Sequence, residues 1–238
     1  MFIGHYGVSF AAKQKPIPLW LLFLAVQFLD VVWSVLVMLG IEKLRIIPGI
    51  TAANALDLYY MPYTHGLPGA LLLSALFGAA SAWFIGGERR KVFWITAAAV
   101  FSHWVLDLIV HAPDMPLVGN AMKVGFGLWN YPWLSLPLEL VTLWAGAVLF
   151  ARNNPAARPA SDAALWGFVV LLTAIELYAS FGPDPASPLA EAHTALAAYL
   201  GLAALAALVD RVRRPVTGAV NTSRIPPQTG LTLSPEPD

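Results

Sequence analysis

The chain has 238 residues, 58% of them hydrophobic and 12% charged, with a formal net charge of zero and no cysteine. Ordinary soluble domains carry roughly twice that share of charge, so the composition is that of an integral membrane protein. It excludes disulfides, thiolate metal sites and cysteine nucleophiles, and it offers no basic stripe for nucleic acid.

The first twelve residues are apolar apart from His5, Tyr6 and Ser9, and they are too few to span a bilayer. Two readings are open: a half-membrane helix rising from the turn Lys13-Gln14-Lys15-Pro16, or an amphipathic helix lying on the surface. The first leaves the α-amino group near hydrocarbon unless a polar cavity receives it.

Six apolar runs of about 20 residues follow, near 18–39, 65–85, 91–111, 133–151, 163–181 and 189–208, each long enough to cross a membrane. The first reads as an uncleaved span, because the layout of a signal peptide is missing. The fold class is therefore all-α: a bundle of about six transmembrane helices plus a short N-terminal helix, forming a single domain over residues 1–210. Gly86-Gly87-Glu88-Arg89-Arg90-Lys91 turns the second span tightly into the third. Eleven of the fourteen basic residues fall on the side of Lys13 and Lys15, and only Lys43, Arg45 and Lys123 on the other. The positive-inside rule then puts both termini in the cytoplasm. The polar, Pro-, Ser- and Thr-rich residues 211–238 read as a disordered cytoplasmic tail.

Two outer loops are expected. The first, Gly40 to Thr64, carries Tyr59, Tyr60 and Tyr63; the second, Pro113 to Pro132, carries Trp129, Asn130 and Tyr131. Aromatic residues at that level read as interface anchors.

Within the third span, His103, Asp107 and His111 stand four apart, which puts them on one helical face as a stripe about 12 Å long. A lone ionisable group facing lipid costs at least a few kcal/mol, so the stripe must face protein or water. Counting about 1.5 Å per residue from the cytoplasmic turns brings His5 to about 12 Å, and Asp30 and His103 to about 18 Å, all near mid-membrane. His65, at the outer start of the second span, is expected higher, towards Asp107 and His111, in a funnel open to the outside. Imidazole nitrogen and carboxylate oxygen are ligands of zinc, manganese or iron. Five such ligands exceed one tetrahedral zinc and suit a higher coordination number or two ions. A hydrogen-bonded brace between helices is the alternative for the same residues, and a proton or metal-ion transporter is a second. His111, at the span's end, reads as interfacial, above the site. Glu139, Glu176, Glu191 and His193 lie in the outer halves of later spans, where Glu139 and Glu176, or Asp57 in the first outer loop, are candidate general bases.

Gly4-His5, Leu29-Asp30, Thr64-His65 and Ser102-His103-x-x-x-Asp107 together resemble the YdjM-like membrane-bound metal-dependent hydrolases of bacteria. That family shows Gly-His, then Pro-Asp-x-Asp-His, then His-Arg-Gly-x-Thr-His-Ser, then Ser-His-x-x-x-Asp. The resemblance covers residues 4 to 111. It implies a plasma-membrane hydrolase with His5, Asp30, His65, His103 and Asp107 as ligands of a divalent metal, zinc foremost. The leading expectation for such a site is that water attacks an ester or phosphoester, and its depth suits a small-molecule or lipid-linked substrate. This chain keeps one carboxylate in the second motif, lacking its second Asp and its His, and Tyr60 stands where the first His of the third is expected.

Overall fold

The computed structural model describes residues 2–156 and 158–213. It is an all-α bundle: α1 (Gly4–Ala11), α2 (Leu19–Val26), α3 (Phe28–Met38), α4 (Leu67–Ile85), α5 (Arg89–Val110), α6 (Pro132–Asn153), α7 (Pro159–Phe181) and α8 (Pro188–Arg213). Helices α4 to α8 are each long and apolar enough to cross a membrane, and α2 with α3 makes a sixth, broken span. Proline opens α6, α7 and α8 and sits at the start of α4, where a missing amide proton costs nothing and the ring pre-sets φ.

The run expected as one straight span over 18–39 is bent by 55° between α2 and α3. Gln27, at the break, has left the helical basin and donates its side-chain Nε2 to the Phe2 carbonyl at 3.0 Å. A break frees backbone groups that lipid cannot satisfy, so protein must. The Val26 carbonyl accepts from His103 Nδ1 at 2.7 Å.

Helix α1 is not a surface helix. Six of its eight residues are buried, and it packs between α6, α2 and α5. The approach to α6 depends on two glycines: a Cβ on Gly7 would run into the Thr142 carbonyl, and one on Gly146 into the Gly7 carbonyl. Small residues are how membrane helices bring their backbones together. The start of α1 meets two carboxylates from other helices. Glu139 Oε2 accepts from Phe2 N at 2.8 Å and Gly4 N at 3.1 Å, and Glu176 Oε2 accepts from Ile3 N at 3.4 Å. These are the helix's otherwise unpaired amides, at the positive end of its dipole. Met1 lies outside the described residues.

Below His5, α1 contributes Tyr6 and Phe10 to an aromatic layer with Phe23, Phe150 and Phe168. The Tyr6–Phe23 and Phe23–Phe168 rings stack at 4.5 and 5.4 Å, and Phe10 meets Phe150 at 5.6 Å. This apolar layer fills the half of the bundle nearer the basic turns. At that end Lys13 pairs with Asp210 at 3.3 Å, Lys91 donates to the Lys15 carbonyl, and Arg213 ties α8 to Asp162 and the Asn154 carbonyl. The last of these bonds holds α8 helical to Arg213, beyond the expected boundary near 210. Residues 214–238, where the tail is expected, lie outside the described residues.

At the opposite end the loops that follow α3 and α5 are more ordered than interface anchoring requires. Strands β1 (Lys43–Ile46) and β2 (Leu56–Tyr60) pair antiparallel, as do β3 (Met115–Val118) and β4 (Ala121–Val124). Lys123 joins the two hairpins through the Tyr59 carbonyl at 2.8 Å. Tyr59 carries the Arg45 guanidinium 4.1 Å from its ring centre, so its partner is protein.

Candidate metal centre

Five residues from four segments converge on one buried cluster. His5 comes from α1, Asp30 from the first turn of α3, His65 from the turn before α4, and His103 and Asp107 from α5. Asp107 is its hub: Oδ1 lies 3.4 Å from His5 Nε2, and Oδ2 lies 3.0, 3.5 and 3.5 Å from Nε2 of His103, His65 and His111. Asp30 Oδ1 faces His65 Nε2 at 3.3 Å and His103 Nε2 at 3.4 Å. The His5 and His103 rings stack at 4.1 Å. The two levels expected from depth counting are thus one: His65 reaches the carboxylate at His103's level as well as Asp107.

His111 is not above the cluster but in it. Its Nε2 faces Asp107, its Nδ1 is 2.9 Å from Asp114 Oδ1, and the Trp129 ring covers it with centroids 4.1 Å apart. The short 3-10 turn Leu128–Asn130 places that indole, so Trp129 is a wall of the site. The signal for His111 was present in the sequence as the second i, i+4 step from Asp107.

The three candidate bases are each engaged elsewhere. Glu139 and Glu176 hold the start of α1, with Glu176 also accepting from Ser180 at 3.3 Å. Asp57 lies on β2 beside Arg45 at 3.6 Å. Their neighbours could not be read from the sequence because depth gives level, not lateral position. His193 is exposed and bonds to its own turn at the Leu189 carbonyl. Tyr199 on α8, which no sequence motif marks, donates to Asp30 Oδ2 at 2.8 Å.

The imidazoles share one arrangement. Each turns Nδ1 to a partner other than Asp30 and Asp107: His5 to the Phe2 carbonyl at 3.3 Å, His65 to Thr64 Oγ1 at 2.8 Å, His103 to Val26 O, and His111 to Asp114. Each turns Nε2 inward. A carbonyl or carboxylate can only accept, so Nδ1 of His103 and of His111 donates, the second-shell pattern that orients metal-ligating histidines; His65 Nδ1 faces a hydroxyl, and His5 has a carbonyl near each nitrogen, Phe2 O at 3.3 Å from Nδ1 and His103 O at 3.4 Å from Nε2. A brace of protonated imidazoles would instead close charge-assisted hydrogen bonds of about 2.7–2.9 Å. Here most Nε2-to-carboxylate distances are 3.3–3.5 Å, and His103 Nε2 is buried without a hydrogen-bond partner even at 3.0 Å from Asp107. Donors about 2.1 Å from one ion at tetrahedral angles are roughly 3.4 Å apart. Buried carboxylates need a compensating cation or hydrogen-bond donors, and a metal ion among these groups would supply the first.

Two triads have their donor atoms within 4.8 Å of one another: His5, His103 and Asp107; and Asp30, His65 and His103. His103 belongs to both, and with Nδ1 committed to Val26 its Nε2 can serve one ion. These buried groups are able to hold a metal ion, and their nitrogen and oxygen donors suit a divalent ion of borderline hardness. Comparison of the chain with family models, curated proteins and solved structures finds no match.

Proposed function

We propose that the chain is a metal-dependent hydrolase embedded in a bacterial plasma membrane, with both termini cytoplasmic and its site towards the outer side. The observation that carries this reading is the common orientation of the four imidazoles, Nδ1 held outward and Nε2 aimed at two carboxylates. The motif resemblance to YdjM-like hydrolases supports the same conclusion, and the excess of basic residues at the end away from the hairpins supports the orientation.

His5, His65 and His103 would hold the ion through Nε2 and Asp30 and Asp107 through carboxylate oxygens, with His111 beside them at the outer edge. Bound there, a zinc, manganese or iron ion supplies Lewis acidity and a water acidified towards neutrality. Asp30 is the most open ligand, with 17% of its side chain exposed against 3% for Asp107, so the substrate's ester or phosphoester approaches from its side. Tyr199 keeps Asp30 Oδ2 occupied and directs Oδ1 to the ion. Glu139 and Glu176 dock α1 and thereby deliver His5. Membrane lipid surrounds the bundle, and a lipid-linked substrate suits a site so deep.

The aromatic layer of Phe10, Phe23, Phe150 and Phe168 argues against a transporter, because it fills with apolar rings the half through which an ion would have to leave. Purified full-length protein in detergent is expected to hydrolyse p-nitrophenyl esters or phosphoesters when supplied with zinc or manganese, and to stop on chelation and in His103→Ala. Metal-loaded protein whose rates on both substrate types equal those of His103→Ala would sink the hydrolase reading. Tyr199→Phe keeps the ring and loses the bond to Asp30. It is expected to weaken metal binding by about 10-fold or somewhat more, as outer-shell changes do, and a chelator-competition titration checks this.

A further inference from the structure

Glu42 is a buried carboxylate that the chemistry above leaves unused. It follows α3 in the turn before β1, is 1% exposed, and its backbone amide is tied to the Leu36 carbonyl. Its Oε1 accepts from the amides of Tyr63 and Thr64 at 2.8 and 3.0 Å, and its Oε2 accepts from Thr64 Oγ1 at 2.6 Å. The same Thr64 oxygen lies 2.8 Å from His65 Nδ1.

A threonine hydroxyl has one proton. The carboxylate cannot donate, so at 2.6 Å that proton points to Glu42, and Thr64 can meet His65 only as an acceptor. His65 must then carry its proton on Nδ1 and leave Nε2 bare towards Asp30 and Asp107. From this chain we infer that Glu42 is a positioning residue: acting through Thr64, it locks His65 in the tautomer able to bind a metal ion. The Trp104 indole, donating to the His65 carbonyl at 2.9 Å, fixes the backbone of the same residue, so tautomer and placement are set by separate partners.

The inference rests on the metal-centre reading and separates from it in one experiment. Glu42→Gln is nearly isosteric. Its carbonyl oxygen can still accept the two amides, while its NH2 group donates to Thr64 Oγ1 and turns the threonine proton onto His65 Nδ1. The imidazole proton moves to Nε2, where it blocks ligation. In full-length protein, Glu42→Gln is expected to weaken cobalt and zinc binding by roughly 10–100-fold. Its ring-labelled histidine 15N spectrum, taken without metal, is expected to show His65 changed from the Nδ1–H to the Nε2–H form. Thr64→Ser keeps the hydroxyl and is expected to bind like wild type with its tautomer unchanged. Wild-type affinity and tautomer in Glu42→Gln overturn the inference while leaving the metal centre standing, and so does a Thr64→Ser loss as large as that of Glu42→Gln. A wild-type protein that binds neither ion overturns both.

Discussion

Replacing Asp107 by asparagine is expected to strip the ion from a protein that stays folded. Among the described residues Asp107 is the one side chain facing all four imidazoles, and its oxygens lie 3.0–3.5 Å from their Nε2 atoms. Asparagine preserves the shape but removes the charge and puts an NH2 group where one oxygen met lone pairs. The loss in affinity should exceed the roughly 10–100-fold that a change outside the ligand shell costs. Two measurements check it. Metal content by mass spectrometry should fall from near-stoichiometric to background. Added zinc at about 1,000 times the wild-type Kd should stabilise wild type by about 4 kcal/mol, seen as a rise in Tm, and leave the variant unmoved. An asparagine variant that retains wild-type metal would show that Asp107 is a brace.

The second large effect lies away from the ligands. Gly146→Val is expected to dislodge α1, because its Cβ would overlap the Gly7 backbone. Backbone cannot step aside as a flexible side chain can, so the helices must separate, at an overpacking cost of about 1–3 kcal/mol. His5 rides on α1 two residues before Gly7, and movement of the helix carries its Nε2 away from Asp107. The variant should therefore lose both Tm and at least 10-fold in metal affinity. Gly167→Val is the control: a Cβ there meets nothing within 4 Å, and both properties should stay at wild-type values. Equal behaviour of the two variants would remove the α1–α6 contact from the account.

The parts legible in the sequence are those that one helix decides by itself. The i, i+4 spacing puts His103, Asp107 and His111 on one face before anything is known of neighbours, and the apolar runs give the spans. Depth counting adds that His5 and Asp30 share a level with His103. Lateral position is not in that count, so it does not show that Glu139 and Glu176 meet the amides of α1, or that Tyr199, on the last helix, reaches Asp30. The break at Gln27 has no proline or glycine to announce it; it exists because the Phe2 carbonyl and His103 Nδ1 supply partners from other segments. Glu42 is hidden for the same reason, since its partners come 21 and 22 residues later. Trp129 reads as an interface anchor until the turn that carries it is seen to fold over His111.

The central claim is that an ion sits among inward-facing Nε2 atoms. Anomalous diffraction at the zinc edge, from crystals of the full-length protein loaded with zinc, tests it most directly. The account predicts a peak bounded by Nε2 of His5, His65 and His103 and the carboxylates of Asp30 and Asp107. A cluster with no peak, its histidines instead protonated on Nε2 and hydrogen-bonded to Asp107, would contradict it.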